Sequence, residues 1–299
     1  MSEIKTIKAY KYEIELDAKF ELKDIEKEGF LYTFSEFDKN KNLIKEITFN
    51  PDGSEEQRFE CIYDDKNRLA EQFMYSDGEI AERKTFMTEE NNLVRKELRH
   101  YIDETYDTIE YNYDDKKNLI EKTLYDFDGE IETKEVYKYD NGNLIEENKF
   151  DSDNKIIKSI SYKYDDKGNN TELYLIDKYD EKELKQVNYY DEKSQRIKIL
   201  TYNKENQLIA KSLYTYNENS KPVEIYEEDT SKRNNIKIKY DAKGNIISQE
   251  EYDKDGELVS NITRSFDDNN NLMESSVYID RGGYGSKYRH IIKYEYETW

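Results

Sequence analysis

The chain has 299 residues, 35 % apolar and 38 % charged, with a net charge of −21. Such a charge repels nucleic acid and anionic membrane and attracts basic surfaces. One cysteine, Cys61, excludes an intramolecular disulfide and fits a reducing compartment. The start shows no signal-peptide pattern and no stretch is apolar enough to read as a membrane helix, so a cytoplasmic protein is expected. This composition alone leans towards disorder, but the 29 tyrosines recur at fixed slots.

Taken in chain order, residues 10–22 alternate strictly. Tyr10, Tyr12, Ile14, Leu16, Ala18, Phe20 and Leu22 fall on one side; Lys11, Glu13, Glu15, Asp17, Lys19 and Glu21 fall on the other. This predicts one long strand, or a hairpin bent near Asp17-Ala18-Lys19. The repeat turn is missing here, so residues 1–36 are expected to form an N-terminal β cap on the array.

From Phe37 an aromatic-Asp turn motif recurs. Lead aromatics fall at Phe37, Tyr63, Phe86, Tyr113, Tyr139, Tyr164, Tyr190, Tyr216, Tyr240 and Phe266, in steps of 26, 23, 27, 26, 25, 26, 26, 24 and 26 residues. A fixed period of this length means a repeat architecture. A weaker turn lies halfway through the period, as in Tyr75-Ser76-Asp77-Gly78, Tyr125-Asp126-Phe127-Asp128-Gly129 and Tyr252-Asp253-Lys254-Asp255-Gly256. Each period therefore holds two turns and two strands. Asn-Gly and Asp-Gly between apolar runs are strong hairpin signals.

The register is tested by folding residues 132–150 about Asp140–Asn143. Tyr139 then faces Leu144, Tyr137 faces Glu146 and Thr133 faces Phe150. The next turn sets Leu144 opposite Tyr162. One face carries Tyr139, Leu144 and Tyr162. The other carries Lys134, Val136, Lys138, Ile145, Glu147 and Lys149. The fold class that follows is all-β: an antiparallel β-hairpin meander of about ten ~25-residue repeats over residues 37–280. A flat sheet of about twenty strands exceeds what twist normally tolerates. The meander is expected to coil into a superhelix or a partly closed tube, tyrosine and leucine face inward. A flat single layer is the runner-up shape.

Residues 281–299 change character. Arg281-Gly282-Gly283-Tyr284-Gly285-Ser286-Lys287-Tyr288-Arg289-His290 is rich in glycine and locally positive, and a final capping strand is expected at 291–299. Arg281, Gly282, Gly283, Tyr284, Lys287 and Arg289 are the candidate partner-binding residues.

Catalytic chemistry leaves few marks. His100 and His290 are the only histidines, and no Cys/His spacing suits zinc. Asp126-Phe127-Asp128-Gly129-Glu130 and Asp253-Lys254-Asp255-Gly256-Glu257 resemble the opening of a calcium loop but lack its flanking helices and distal glutamate; turn chemistry explains them better. No cofactor, metal or catalytic set is expected.

Tyr137-Lys138-Tyr139-Asp140-Asn141-Gly142-Asn143-Leu144 and Tyr162-Lys163-Tyr164-Asp165-Asp166-Lys167-Gly168-Asn169 resemble the YD repeats of bacterial RHS proteins. The Asp-x-Asp-Gly-Glu-Ile turns are similar to the MORN-like repeats of YwqK-type antitoxin or immunity proteins. The resemblance spans roughly residues 30–280. It implies a non-enzymatic protein-binding scaffold, with an immunity or antitoxin role. The acidic charge points to a basic partner. Alternatives are a carbohydrate or cell-surface binding module using tyrosine rows, and an enzyme with a site near the C-terminal loop.

Overall fold

Between the turn clusters the chain is dominated by Tyr, Ile, Thr, Val and alternating charges, the residues that suit a pleated surface with two unlike faces. The computed structural model describes residues 3–16, 22–26, 29–176, 181–230, 233–280 and 287–299, and every element in them is a strand. In order these are β1 (Ile4–Leu16), β2 (Leu22–Glu26), β3 (Phe30–Phe37), β4 (Leu43–Phe49), β5 (Glu55–Tyr63), β6 (Leu69–Ser76), β7 (Glu79–Thr88) and β8 (Val94–His100). There follow β9 (Tyr106–Tyr113), β10 (Leu119–Tyr125), β11 (Ile131–Asp140), β12 (Asn143–Asp151), β13 (Ile156–Tyr164), β14 (Asn170–Ile176), β15 (Lys182–Tyr190) and β16 (Arg196–Tyr202). The last are β17 (Leu208–Tyr216), β18 (Pro222–Asp229), β19 (Arg233–Tyr240), β20 (Ile246–Tyr252), β21 (Leu258–Phe266), β22 (Leu272–Asp280) and β23 (Lys287–Thr298).

From β3 onward each strand pairs antiparallel with the next, as an unbroken meander. β1 pairs with β23 from Ile4↔Thr298 to Ile14↔Arg289, and with β3 from Thr6↔Glu36 to Lys11↔Phe30. The sheet therefore closes into a barrel of 22 strands, with β2 extending a hairpin from the end of β1. The expected meander is present, and its tube is sealed rather than partly open or flat. Within the expected N-terminal segment 1–36, β1 supplies the closing strand, with wall partners on both sides. The bend expected at 17–19 lies outside the described residues.

Closure removes every long edge, which a twenty-strand open sheet would expose. At ~4.8 Å per strand the wall is roughly 105 Å around, too wide for side chains to fill. Accordingly the buried apolar residues are few: Ala9, Ile47, Cys61, Ile109 and Ile160. Stability rests on ladder hydrogen bonds and cross-strand pairs more than on a solid core.

Local turn chemistry sets the register. Most turns are five-residue loops whose fourth residue adopts positive φ, such as Lys41 at 70° and Gly129 at 82°. The leading Asp caps the loop: Asp114 Oδ1 accepts from the Lys116 and Asn118 amides at 2.9 and 2.8 Å. Two-residue turns with both residues at positive φ occur at Asp77-Gly78 and Asn141-Gly142, as those dipeptides favour.

A one-residue register shift accompanies these turns, and it corrects the face assignment. Tyr139 does pair with Leu144, but beyond that point Tyr137 pairs with Glu147, not Glu146, and Thr133 with Asp151. Glu147 and Lys149 therefore share the tyrosine face. Lys149 Nζ lies 3.4 Å from Glu135 there, and Tyr137 donates to Glu135 at 2.7 Å. Simple alternation cannot show a bulge, which inverts the faces of everything beyond it. A second correction concerns Phe86. The slot before the turn is Thr88, paired with Val94, and Phe86 sits two residues earlier on the same face.

Candidate functional site

The two ends of the barrel are built differently. One end, the tyrosine rim, carries the turns that follow the odd-numbered strands β3 to β21 and both chain ends. Eleven strands finish there, and the slot before the turn is Phe37, Tyr63, Thr88, Tyr113, Tyr139, Tyr164, Tyr190, Tyr216, Tyr240 or Phe266, with Tyr296 in the equivalent place on β23. Eight of these are tyrosines whose hydroxyl donates to a carbonyl at the start of the preceding even-numbered strand, its first residue in seven cases and its second, Leu144, in the other. Tyr63 reaches Leu43 at 3.2 Å, Tyr113 reaches Val94 at 3.1 Å and Tyr139 reaches Leu119 at 3.0 Å. The same bond joins Tyr164 to Leu144, Tyr190 to Asn170, Tyr216 to Arg196, Tyr240 to Pro222 and Tyr296 to Leu272. Burial pushes the phenols of Tyr63, Tyr113 and Tyr139 up.

The turns above these pillars also hold one another. Asn42 Nδ2 donates to Asn67 Oδ1 at 2.5 Å, Asn169 Nδ2 to Ser194 Oγ at 3.2 Å, and Lys243 Nζ to the Asp268 carbonyl at 2.8 Å. Hydrogen bonds from their own loops hold the carboxyls of Asp64, Asp114 and Asp165 below the usual carboxylate range. Most of the tyrosine rim's polar groups thus bond within the rim.

The far rim has another character. Across the consecutive strands β7–β13 it exposes Ile80, Tyr101, Ile102, Tyr106, Phe127, Ile131, Ile156 and Ile157, with Ile102 at 96 % and Phe127 at 62 %. Segments 76–80, 100–107, 125–132 and 151–158 hold eleven carboxylates against two lysines. Exposed apolar side chains at four successive far-rim turns, set among like charges, are the surface feature that most needs an explanation.

The calcium-like segments lie on this rim. Asp126 Oδ1 accepts from the Asp128 and Glu130 amides, and Asp253 Oδ1 from those of Asp255 and Glu257. These aspartates cap their own turns, and among the described residues no group of three His, Cys, Asp or Glu could hold a metal. His100 and His290 lie on separate strands. His100 Nε2 is 2.9 Å from Thr85 Oγ1, and His290 stacks on Tyr288 at 5.9 Å. Burial lowers both imidazoles, and it raises the Cys61 thiol.

Of the sequence candidates, Arg281, Gly282, Gly283 and Tyr284 lie outside the described residues. Lys287 opens β23, and Arg289 donates from Nε to Ser276 Oγ at 3.1 Å. Both belong to the far-rim end of the wall, several strands from the apolar arc. The arc itself escaped sequence reasoning. Its signal was present as a large apolar residue inside a turn, at Ile102 and Phe127, where loop chemistry does not require one.

A family profile described as "Uncharacterised protein" matches residues 188–298. No curated protein matches the chain. Among solved structures, a Photorhabdus luminescens Tc holotoxin pore is similar at 11 % identity and TM-score 0.37, over 92 % of this chain and 17 % of that one. The complex of TcdB2, TccC3 and Cdc42 gives 11 % and 0.33, over 84 % and 18 %. A porin-like protein from Bacteroides uniformis gives 12 % and 0.27, over 98 % and 96 %. The chain spans less than a fifth of the length of the toxin chains it matches.

Proposed function

We propose that the barrel is a non-enzymatic scaffold that binds a basic partner protein through the acidic, apolar arc of its far rim. The observation that carries this reading is the run of exposed apolar side chains on seven adjacent strands, set among eleven carboxylates. Apolar anchors ringed by charge suit a protein interface, where the anchors supply affinity and the charge supplies steering. In the setting that the YD and MORN-like resemblance implies, the partner is a toxin and the scaffold its immunity protein or antitoxin.

Two observations favour this reading over the others. The tyrosine rows are occupied by the protein's own carbonyls and carboxylates, which leaves few phenols free to recognise a sugar. Ion pairs stand mid-wall on both faces: Lys134–Glu121 on one, Lys122–Glu135 on the other. A lipid-facing barrel needs an outward apolar band instead, so the reading is of a protein in water.

The test places a photo-crosslinking residue at Ile102, at Phe127 and, as a control on the tyrosine rim, at Asn269. Crosslinking to one basic protein from the native host at the first two positions, weakened by salt, is the expected result. Equal yield at Asn269, or capture indifferent to salt, would move the interface elsewhere. Replacing 282–286 checks the C-terminal loop, whose loss is expected to leave crosslinking intact.

A further inference from the structure

The ring of pillars on the tyrosine rim has one gap. Ten of its eleven slots hold an aromatic ring, and the eleventh is Thr88. The backbone geometry at the gap matches that at a filled slot. On β8 and β9, Lys96 pairs with Glu110, which places Tyr113 to reach the Val94 carbonyl. On β6 and β7, Glu71 pairs with Thr85, which places residue 88 to reach the Leu69 carbonyl in the same way. Threonine is too short to do so.

An open cavity of about 330 Å³ lies there, with Leu69, Ala70, Phe86, Met87 and Thr88 on one side and Asp64, Arg68 and Glu89 on the other. Arg68 stands where five other turns of this rim carry asparagine: Asn42, Asn118, Asn169, Asn245 and Asn271. Its guanidinium donates to the Thr88 and Glu89 carbonyls at 2.9 Å each and pairs with Asp64 at 2.6 Å. The guanidinium thereby braces the turn that has lost its pillar and bounds the cavity.

We infer that this cavity is a binding site for a 4-alkylphenol, the chemistry of a tyrosine side chain. The ring would lie among Leu69, Ala70 and Phe86, and its hydroxyl would donate to the Leu69 carbonyl. The molecule itself defines the ligand, because eight neighbouring slots bind that group covalently tethered. Clefts that combine an apolar wall with a few placed polar groups take small aromatic ligands. The site is independent of the far-rim arc, at the opposite end of the barrel.

Titration of the full chain with p-cresol, followed by thermal shift and by NMR of the Leu69 and Ala70 amides, tests it. Saturable binding at one site is expected, with Thr88→Tyr abolishing it by filling the slot. Toluene should bind about threefold to tenfold more weakly, having no donor for the carbonyl. Should Thr88→Tyr fail to fold, Thr88→Ala must keep or strengthen p-cresol binding. Undiminished binding in Thr88→Tyr, loss in Thr88→Ala, or equal affinity for toluene would each overturn the proposal. N-acetyl-tyrosinamide separates the sources. Binding of both ligands assigns the site to a tyrosine side chain of a partner. Binding of p-cresol alone assigns it to a free phenol, and binding of neither overturns the inference.

Discussion

The two rims are made by one repeat yet answer to different constraints. On the tyrosine rim each turn capped by aspartate sits above an aromatic pillar, and several bond to the next turn, as 38–42 does to 64–68 and 165–169 to 191–195. On the far rim the same five-residue loop geometry recurs at Asp126–Glu130, but its apolar residues are turned to solvent. A repeat can therefore divide its labour: one end holds the wall together, the other is free to vary.

The comparison breaks most sharply at a pillar. Tyr139→Ala is expected to destabilise the barrel by about 2–3 kcal/mol, as for a large-to-small change at a half-buried site. Urea denaturation measures this, and a cost under about 0.5 kcal/mol would show that the pillars do not support the wall. Tyr139→Phe isolates the hydroxyl. It should cost about 1 kcal/mol, the net worth of one hydrogen bond to a carbonyl. An equal cost for the phenylalanine and alanine variants would mean that the ring contributes nothing.

Acid provides a local probe of the tyrosine rim. Hydrogen bonds within their loops depress the carboxyls of Asp38, Asp64, Asp114, Asp165, Asp241 and Asp267 in the folded state; at the far rim those of Asp52 and Asp103 are depressed likewise. A depressed folded pKa contributes stability above the unfolded value near 4, and that contribution is lost as pH falls through the folded values. Amide exchange at residues 114–118 should therefore quicken below pH 4 before that of mid-strand amides, and Asp114→Asn should blunt the change at that turn. The smallest effect belongs to the far-rim arc. Ile102→Ser with Phe127→Ser should shift stability by less than about 0.5 kcal/mol while removing partner capture. A large loss of stability would make the arc structural.

Much of the wall was legible in the sequence. Period, turn chemistry and alternation specify hairpins, and Tyr139 does meet Leu144. What stayed hidden was the register shift beside the turns, since two residues opposing one leave no trace in alternation. That single slip moved Glu147 and Lys149 to the other face. Closure was hidden too, because β1 and β23 meet across the whole length of the chain and neither carries the repeat turn. The gap at Thr88 was masked by Phe86, an aromatic close enough in number to be taken for the pillar. Locally positive charge drew attention to Arg289, whose guanidinium meets Ser276; the apolar arc emerges only when separate turns are brought side by side.

The seam between β1 and β23 fixes a direction of traffic. The Trp299 amide donates to the Glu3 carbonyl at 3.0 Å, so the first and last strands begin and end at one point of the tyrosine rim. Any polypeptide fused before Ile4 or after Thr298 would leave from that point, pointing away from the arc. Joining the two ends by a short linker and opening the chain at a far-rim turn such as Asp253–Glu257 should yield a circularly permuted barrel with the same wall. Cargo attached beside Ile4 or Thr298 would occupy one mouth of the barrel and leave the other unobstructed.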